Sequence, residues 1–145
     1  MGDFAADRWP VLPGNYRVLD PIGPIALALL HGITPEDLGG LDLAGVAAVG
    51  SIATENLGIE HLVENIIANP HIRHLVVFGH DTPGHLAGDA LVCLSAQGTE
   101  PGGRIPGARG ARPVLKNLKP VEVEHFRSQV GVVDLIGSTD PSVLA

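Results

Sequence analysis

The chain holds one cysteine, Cys93, which excludes an internal disulfide and any all-cysteine metal site. Its neighbours Leu91, Val92 and Leu94 mark it as a small buried hydrophobe, in keeping with a reduced, cytoplasmic setting. Aromatic side chains make up only 3% of residues. Phe4, Trp9, Tyr16, Phe78 and Phe126 are too few and too scattered to stack nucleic-acid bases. A formal net charge of −7 also opposes phosphate backbones, so no nucleic-acid partner is expected. Long apolar runs are missing too. None reaches the roughly 18 residues of a membrane span, so no membrane insertion is expected of this chain. Residues 1–8 lack the basic start and apolar core of a signal peptide. Arg8 stands in a region where a myristoylation motif would carry Ser or Thr.

Several catalytic signatures are absent as well. There is no Gly-x-Ser-x-Gly elbow for a serine hydrolase. There is no His-Glu-x-x-His or Cys-x2-Cys pair for zinc. His71, His74, His80 and His85 fall close together, but a helix exit, a strand and a turn divide them, which does not make a three-ligand site. Residues 79–85 have glycines at phosphate-loop spacing, yet His85 stands where that loop needs lysine.

What is present is an aliphatic, globular composition. Hydrophobic residues are 45% and charged residues 17% of a 145-residue chain. That length implies one domain over residues 1–145, with residues 1–8 and 138–145 expected to be flexible ends. A domain of this size buries roughly 68–70% of its unfolded surface. Tyr16-Arg17-Val18-Leu19 reads as a short strand, and residues 24–30 and 46–52 are continuous apolar runs of buried-strand length. Thr34 and Pro35 open a helical turn. A helix capped by Thr54 carries Leu57, Ile59, Leu62, Val63, Ile66 and Ile67 at helical spacing and stops at Asn69-Pro70. The strand at 74–79 runs into a helix expected over residues 84–97, with His85 in its first turn. Residues 98–113 read as an irregular loop, a length that in a compact domain is usually functional. A helix at 120–130 and a strand at 132–136 follow. This alternation predicts an α/β fold, a mainly parallel sheet with helices on both faces.

In such a sheet, ligands bind beyond the carboxyl ends of the strands. Three turns of small or polar residues converge on that end: residues 54–58, 79–88 and 107–111. Small residues let a large flat ligand lie against backbone, and N–H groups at helix starts can bond its oxygens. His85 sits where such a ligand, or a metal it carries, would be met. A surface or capping role for that histidine is the alternative.

The same stretches carry a resemblance. Trp9-Pro10-Val11, Asp20-Pro21, Thr54-Glu55-Asn56-Leu57-Gly58-Ile59-Glu60, Asn65-Ile66-Ile67, Asn69-Pro70, Ile72-Arg73, Gly84-His85-Leu86-Ala87-Gly88, Gly107-Ala108-Arg109-Gly110-Ala111 and Phe126-Arg127-Ser128-Gln129-Val130 resemble the MtrA family, the cobamide-carrying subunits of tetrahydromethanopterin S-methyltransferase. The resemblance covers about residues 9–136. It implies a Rossmann-like α/β domain that binds a cobalt corrinoid (a cobamide such as cobalamin), with His85 matching the proposed axial ligand of cobalt. It implies that a methyl group passes from a methyl-pterin donor to the corrinoid and on to a thiol acceptor, with the donor and acceptor methyltransferase proteins as partners. The corrinoid would lie against Thr54, Glu55, Asn56, Leu57 and Gly58, against Gly79, Gly84, His85, Leu86 and Gly88, and against Gly107, Ala108, Arg109, Gly110 and Ala111.

Three departures accompany the resemblance. The family's membrane-anchoring C-terminal helix has no counterpart here, which implies a soluble chain. Arg109 and Arg112 stand where the family would carry smaller or uncharged residues, and would bind an anionic group such as a corrinoid phosphate or signal a changed ligand. The Asp-x-His-x-x-Gly motif of methionine-synthase-type corrinoid domains is half met, because Pro83 takes the aspartate position. Two rival readings remain: a non-catalytic binding or regulatory domain that kept the fold, and a nucleotide-binding Rossmann domain. Nothing in the sequence sets the oligomeric state.

Overall fold

Five of the apolar stretches pair into one sheet: β1 (Tyr16–Val18), β2 (Ile25–Leu29), β3 (Val46–Ser51), β4 (His74–Gly79) and β5 (Gly131–Ile136). The computed structural model describes residues 9–10, 16–38, 43–52 and 57–138. The strand order is β1-β3-β2-β4-β5. β2 to β5 are parallel, and only β1, at the edge, runs antiparallel to β3. The mainly parallel α/β architecture is therefore as expected. The expectation of flexible ends falls on residues outside the described ones, apart from Ser138.

The order of crossovers explains which face each helix takes. From β3 the chain passes β2 to reach β4, then continues outward to β5. Both moves run the same way across the sheet, and right-handed crossovers place their helices on the same face. Those helices are α1 (Leu57–Ile67), α2 (Ala87–Gln97) and α3 (Pro120–Gln129). Their buried residues, among them Ile59, Val63, Ile66, Leu91, Leu94, Val123 and Phe126, share one core cluster with Ala26, Ala28, Leu75 and Val77 of the sheet. The move from β2 to β3 runs the opposite way and covers the other face. There Leu27, Leu29, Val49 and Phe78 pack with Ile33 and Leu38, and the cover is the 3-10 turn Pro35–Leu38. Both faces carry helix, but of unequal kinds.

The apolar run at β2 thus hides an alternation. Ala26 and Ala28 face the three helices, and Leu27 and Leu29 face the 3-10 turn, as a two-residue period requires. α1 stops where expected. Asn69 is fully buried; its Nδ2 donates to Pro21 O at 2.9 Å and its Oδ1 accepts from His71 N–H at 3.1 Å.

α1 and α3 meet through a pair of carboxyl groups, Glu64 and Glu122. The hydrogen bond to Glu122, with burial and the Glu122 and Glu60 charges behind it, pushes the Glu64 carboxyl up to about 7, against the opposing pull of Lys119. Glu122 is lowered by that same bond and by the Lys119 N–H, which donates to its Oε1 at 2.9 Å. Glu64 therefore binds its proton more tightly folded than unfolded. Its contribution is in full force below the unfolded value of 4.5 and is lost as the pH rises through about 7. The Glu122 contribution is present above 4.5 and is lost as the pH falls below it, so the two windows do not overlap. Glu64→Gln keeps a donor toward Glu122 and cannot ionise. Melting temperatures of wild type and Glu64→Gln, taken from pH 5 to pH 8, are expected to show a fall in the wild type that the variant lacks in part. Parallel curves would show that no proton is shared.

Candidate functional site

The site lies at the carboxyl end of the sheet, between β2 and β4. The chain leaves β2 in one direction, toward β3, and leaves β4 in the other, toward β5, so this is the point where the winding reverses and a crevice opens. His31 and His80 mark it. Their backbones pair in both directions, at 2.9 Å for His31 N–H to His80 O and 2.8 Å for His80 N–H to His31 O. Gly79 makes that closure possible. Its φ is +112°, and a Cβ there would lie 3.1 Å from His31 O and Leu30 N.

Beyond His80 the chain forms a closed turn. Asp81 reaches forward across it, its Oδ1 accepting from Gly88 N–H at 2.7 Å and its Oδ2 from Asp89 N–H at 2.9 Å. This carboxylate answers the first orphan donors and the positive end of α2. The expected helix start at Gly84 is therefore displaced to Ala87. Leu86 sits before it in the left-handed region (φ 50°, ψ 53°), a conformation that cannot belong to a right-handed helix. His85 is accordingly a turn residue rather than a first-turn helical residue. Its N–H points to Thr82 O at 3.2 Å, as does that of Leu86 at 3.0 Å. His85 is exposed. Next to it Gly84 has φ +90° and no atom within 4 Å of where a Cβ would stand, so the backbone there is open to a ligand. Gly88 is different: a Cβ would meet Leu30 Cδ1 at 2.7 Å, Asp81 Oδ1 at 2.9 Å and Ile136 Cδ1 at 3.0 Å. That glycine serves the close packing of α2 on the strand ends.

Residues 98–119 form a strap that returns from the far end of α2. Ile105 and Leu115 are its buried anchors. The strap climbs along α2: Gly107 lies against Cys93 and Gln97, and Arg109 pairs with Asp89 by its N–H at 2.9 Å and its guanidinium at 3.3 Å. Ala111 N–H donates to Gly84 O at 2.7 Å. Two of the three expected turns are thereby joined, at Gly84 and Ala111. Gly107 and Ala108 lie further down, beside α2. Burial, with the charge of Asp89 behind it, raises the Cys93 thiol there against a smaller pull from Arg109.

The third turn is described in part. Thr54, Glu55 and Asn56 lie outside the described residues, and so does the side chain of Leu57. Gly58 lines a small cavity of about 120 Å3 with Trp9, Tyr16, Ser51 and Ile52. Trp9 Nε1 donates to Asn65 O at 2.7 Å and Asn65 Nδ2 to Tyr16 Oη at 2.9 Å, which holds the N-terminal segment on α1. In the first turn of α1 buried Glu60 accepts from Asn117 N–H at 2.5 Å and Asn117 Nδ2 at 3.3 Å, so the strap is tied to α1 as well.

Sequence reasoning missed His31, Asp81, Arg104 and Lys116. Asp81 before Thr82-Pro83 is a detectable capping signal, whereas the His31–His80 pairing exists only once β2 and β4 are neighbours. Among the described residues, no group of three His, Cys, Asp or Glu side chains is placed to hold a metal ion. No described helix is long and apolar enough to cross a membrane.

Known proteins carry the same pattern. The MtrA family, the A subunits of tetrahydromethanopterin S-methyltransferase, matches residues 3–145. The A 1 subunit of that enzyme in Methanobrevibacter ruminantium is 44% identical over 137 residues, 94% of this chain and 55% of that protein. The A 2 subunit of Methanothermobacter thermautotrophicus is 42% identical over 140 residues, 96% of this chain and 75% of that protein. The A subunit of Methanohalophilus mahii is 39% identical over 140 residues, 97% of this chain and 57% of that protein. The chain thus spans little more than half the length of two of these three relatives. With a family match from residue 3 to residue 145, this chain belongs to the MtrA family of tetrahydromethanopterin S-methyltransferase subunits.

Proposed function

We propose that this chain is a corrinoid-binding methyl carrier, with His85 as the protein-side axial ligand of cobalt. One observation carries the reading: an exposed imidazole on a closed turn, at the reversal point of the sheet, beside the open backbone of Gly84. The donor set fits the group. A bound corrinoid would ask the protein for a single imidazole nitrogen, which His85 would supply without the three-ligand cluster that a protein-only metal site needs. Gly84, Leu86 and Ala111 would form the surface against which the ring lies.

The corrinoid would supply the chemistry, accepting a methyl group from a methyl-pterin-type donor and yielding it to a thiol-type acceptor. The chain's own part is placement. Asp81 fixes the turn by binding Gly88 and Asp89 N–H groups, and the His31–His80 backbone pair fixes its root. Ala111 fixes its far side through Gly84 O. A turn held at three points would present its imidazole to a metal from a defined direction. The open side of the turn leaves room for the methyltransferase proteins that would bring donor and acceptor.

Spectroscopy on full-length protein tests this. After mixing with hydroxocobalamin and removing the excess, wild type is expected to retain corrinoid with a visible spectrum altered by imidazole coordination. His85→Ala is expected to keep the corrinoid but lose that alteration. A wild type that retains no corrinoid would sink the reading. Identical spectra for the two proteins would remove His85 from the cobalt.

A further inference from the structure

The chain carries a net charge of −7, yet Arg104, Arg109, Arg112, Lys116 and Lys119, five of its nine Lys and Arg residues, fall within one strap. The strap sorts them. Arg104 and Val114 face each other in an isolated antiparallel bridge, flanked by Ile105 N–H to Pro113 O and Leu115 N–H to Gly103 O, both 2.8 Å. Along 112–116 exposure alternates: Pro113 and Leu115 are buried, and Arg112 and Lys116 are exposed. The period of two therefore puts Arg112 and Lys116 on the same side as Val114, diagonal to Arg104 across the bridge.

These three cations line one groove of about 440 Å3 with Glu60, Ala111 and Asn117. Like charges set together on one face repel. Among the described residues that line it the one carboxylate, Glu60, is engaged by Asn117 N–H and Nδ2. Arg17, Arg109 and Arg127 have carboxylate partners, Glu36, Asp89 and Glu124. Arg104 and Lys116 have none in ion-pair reach among the described residues. Ala111 is a wall of this groove and also bonds Gly84, the residue before His85, so the groove and the turn adjoin.

We infer that Arg104, Arg112 and Lys116 form an anion site for a phosphate group, and that the group is the phosphodiester of the ligand centred on His85; the second half of this rests on the corrinoid reading. Cations gathered on one groove suit phosphate oxygens through charge-assisted hydrogen bonds. Arg109, which the sequence pairs with Arg112 for this task, is instead occupied by Asp89 on α2.

The test is a binding cycle on the full chain, with Arg104→Ala/Lys116→Ala as the variant. Both residues are exposed, so the fold is expected to persist. Cobalamin carries the phosphodiester, and cobinamide is the same ring without it. The variant is expected to weaken cobalamin about tenfold, the worth of one partly exposed charge-assisted hydrogen bond, and to change cobinamide by less than about twofold on the same scale. Equal losses for both ligands, or none for cobalamin, would overturn the assignment of the phosphodiester. If wild type retains neither corrinoid, the carrier reading fails and inorganic phosphate decides the groove. Amide shifts at Arg112 and Asn117 in wild type that vanish in the variant would support an anion site, and their absence would overturn it.

Discussion

Gly103→Ala is expected to lower the unfolding free energy by about 2–4 kcal/mol, the sum of a core-like overlap and an L residue forced into the left-handed region. Gly103 has φ +90°, and a Cβ built on it would lie 2.3 Å from Leu115 O and 3.0 Å from Leu115 C. Those atoms are backbone and cannot rotate aside. Leu115 is itself fixed, because its side chain is buried and its N–H bonds Gly103 O. The overlap can be relieved only by opening the strap at this clasp. Gly102→Ala is the matched control. Its φ is +93°, but no atom lies within 4 Å of the added carbon, so it carries the backbone strain alone, about 1 kcal/mol. Urea titrations of the two variants separate the terms. If they agree within about 0.5 kcal/mol, the ordinary scatter of surface substitutions, the clasp is not rigid. The strap also carries Ala111 and the cationic groove, so opening it is expected to weaken ligand retention, which Gly102→Ala leaves intact.

The elements legible in the sequence are those built from local periodicity. Ile59, Val63 and Ile66 declare α1 by their spacing, and residues 74–79 declare β4 by an unbroken apolar run. Three features stay hidden because their cause is not local. The split of β2 into Ala26 and Ala28 on one face and Leu27 and Leu29 on the other is invisible in a run where all four are apolar. It acquires meaning only when helices need small neighbours. The start of α2 reads too early in the sequence, at Gly84 rather than Ala87, because Leu86, a good helix former, is driven left-handed by the turn that Asp81 closes. The third is the strap. The sequence suggests ligand contact all along residues 107–111, yet Gly107 serves packing against Cys93 and Gln97, and only the Ala111 end reaches the His85 turn. The alternation of Arg112, Val114 and Lys116 is legible by eye, but Arg104 joins them only through the bridge to Val114 that folds the strap on itself.

Gln129→Leu is expected to cost about 1–3 kcal/mol, because the side chain is the junction of three backbone segments and leucine cannot donate. Gln129 closes α3 and is 8% exposed. Its Nε2 stands 3.0 Å from Ile66 O, 2.9 Å from Asn69 O and 3.0 Å from Ile72 O. The two amide hydrogens are thus shared among the last turn of α1, the turn that follows it and the approach to β4. Three carbonyls around one atom fix the amide's orientation, since Oε1 in that position would face three acceptors. Each buried carbonyl left without a donor costs roughly 1–3 kcal/mol. Two effects offset this. Leucine removes the buried Oε1, which has no partner, and it adds apolar area worth about 1 kcal/mol. The balance still favours glutamine: Ile72 O loses its Gln129 donor outright, and Ile66 O and Asn69 O fall back on the Asn69 and Ile72 N–H groups alone. Hydrogen exchange distinguishes this account from a general loss of packing. The Ile72 N–H, bonded to Asn69 O at 3.2 Å, should lose protection in Gln129→Leu, and amides in β2 should change only with global stability. Glutamate at 129 supplies the complementary measurement. It keeps the shape, lacks donors when ionised and regains one when protonated, so Gln129→Glu should be least stable at neutral pH and recover as the pH falls. A variant equally unstable at both pH values would assign the role of Gln129 to shape rather than to its hydrogen bonds.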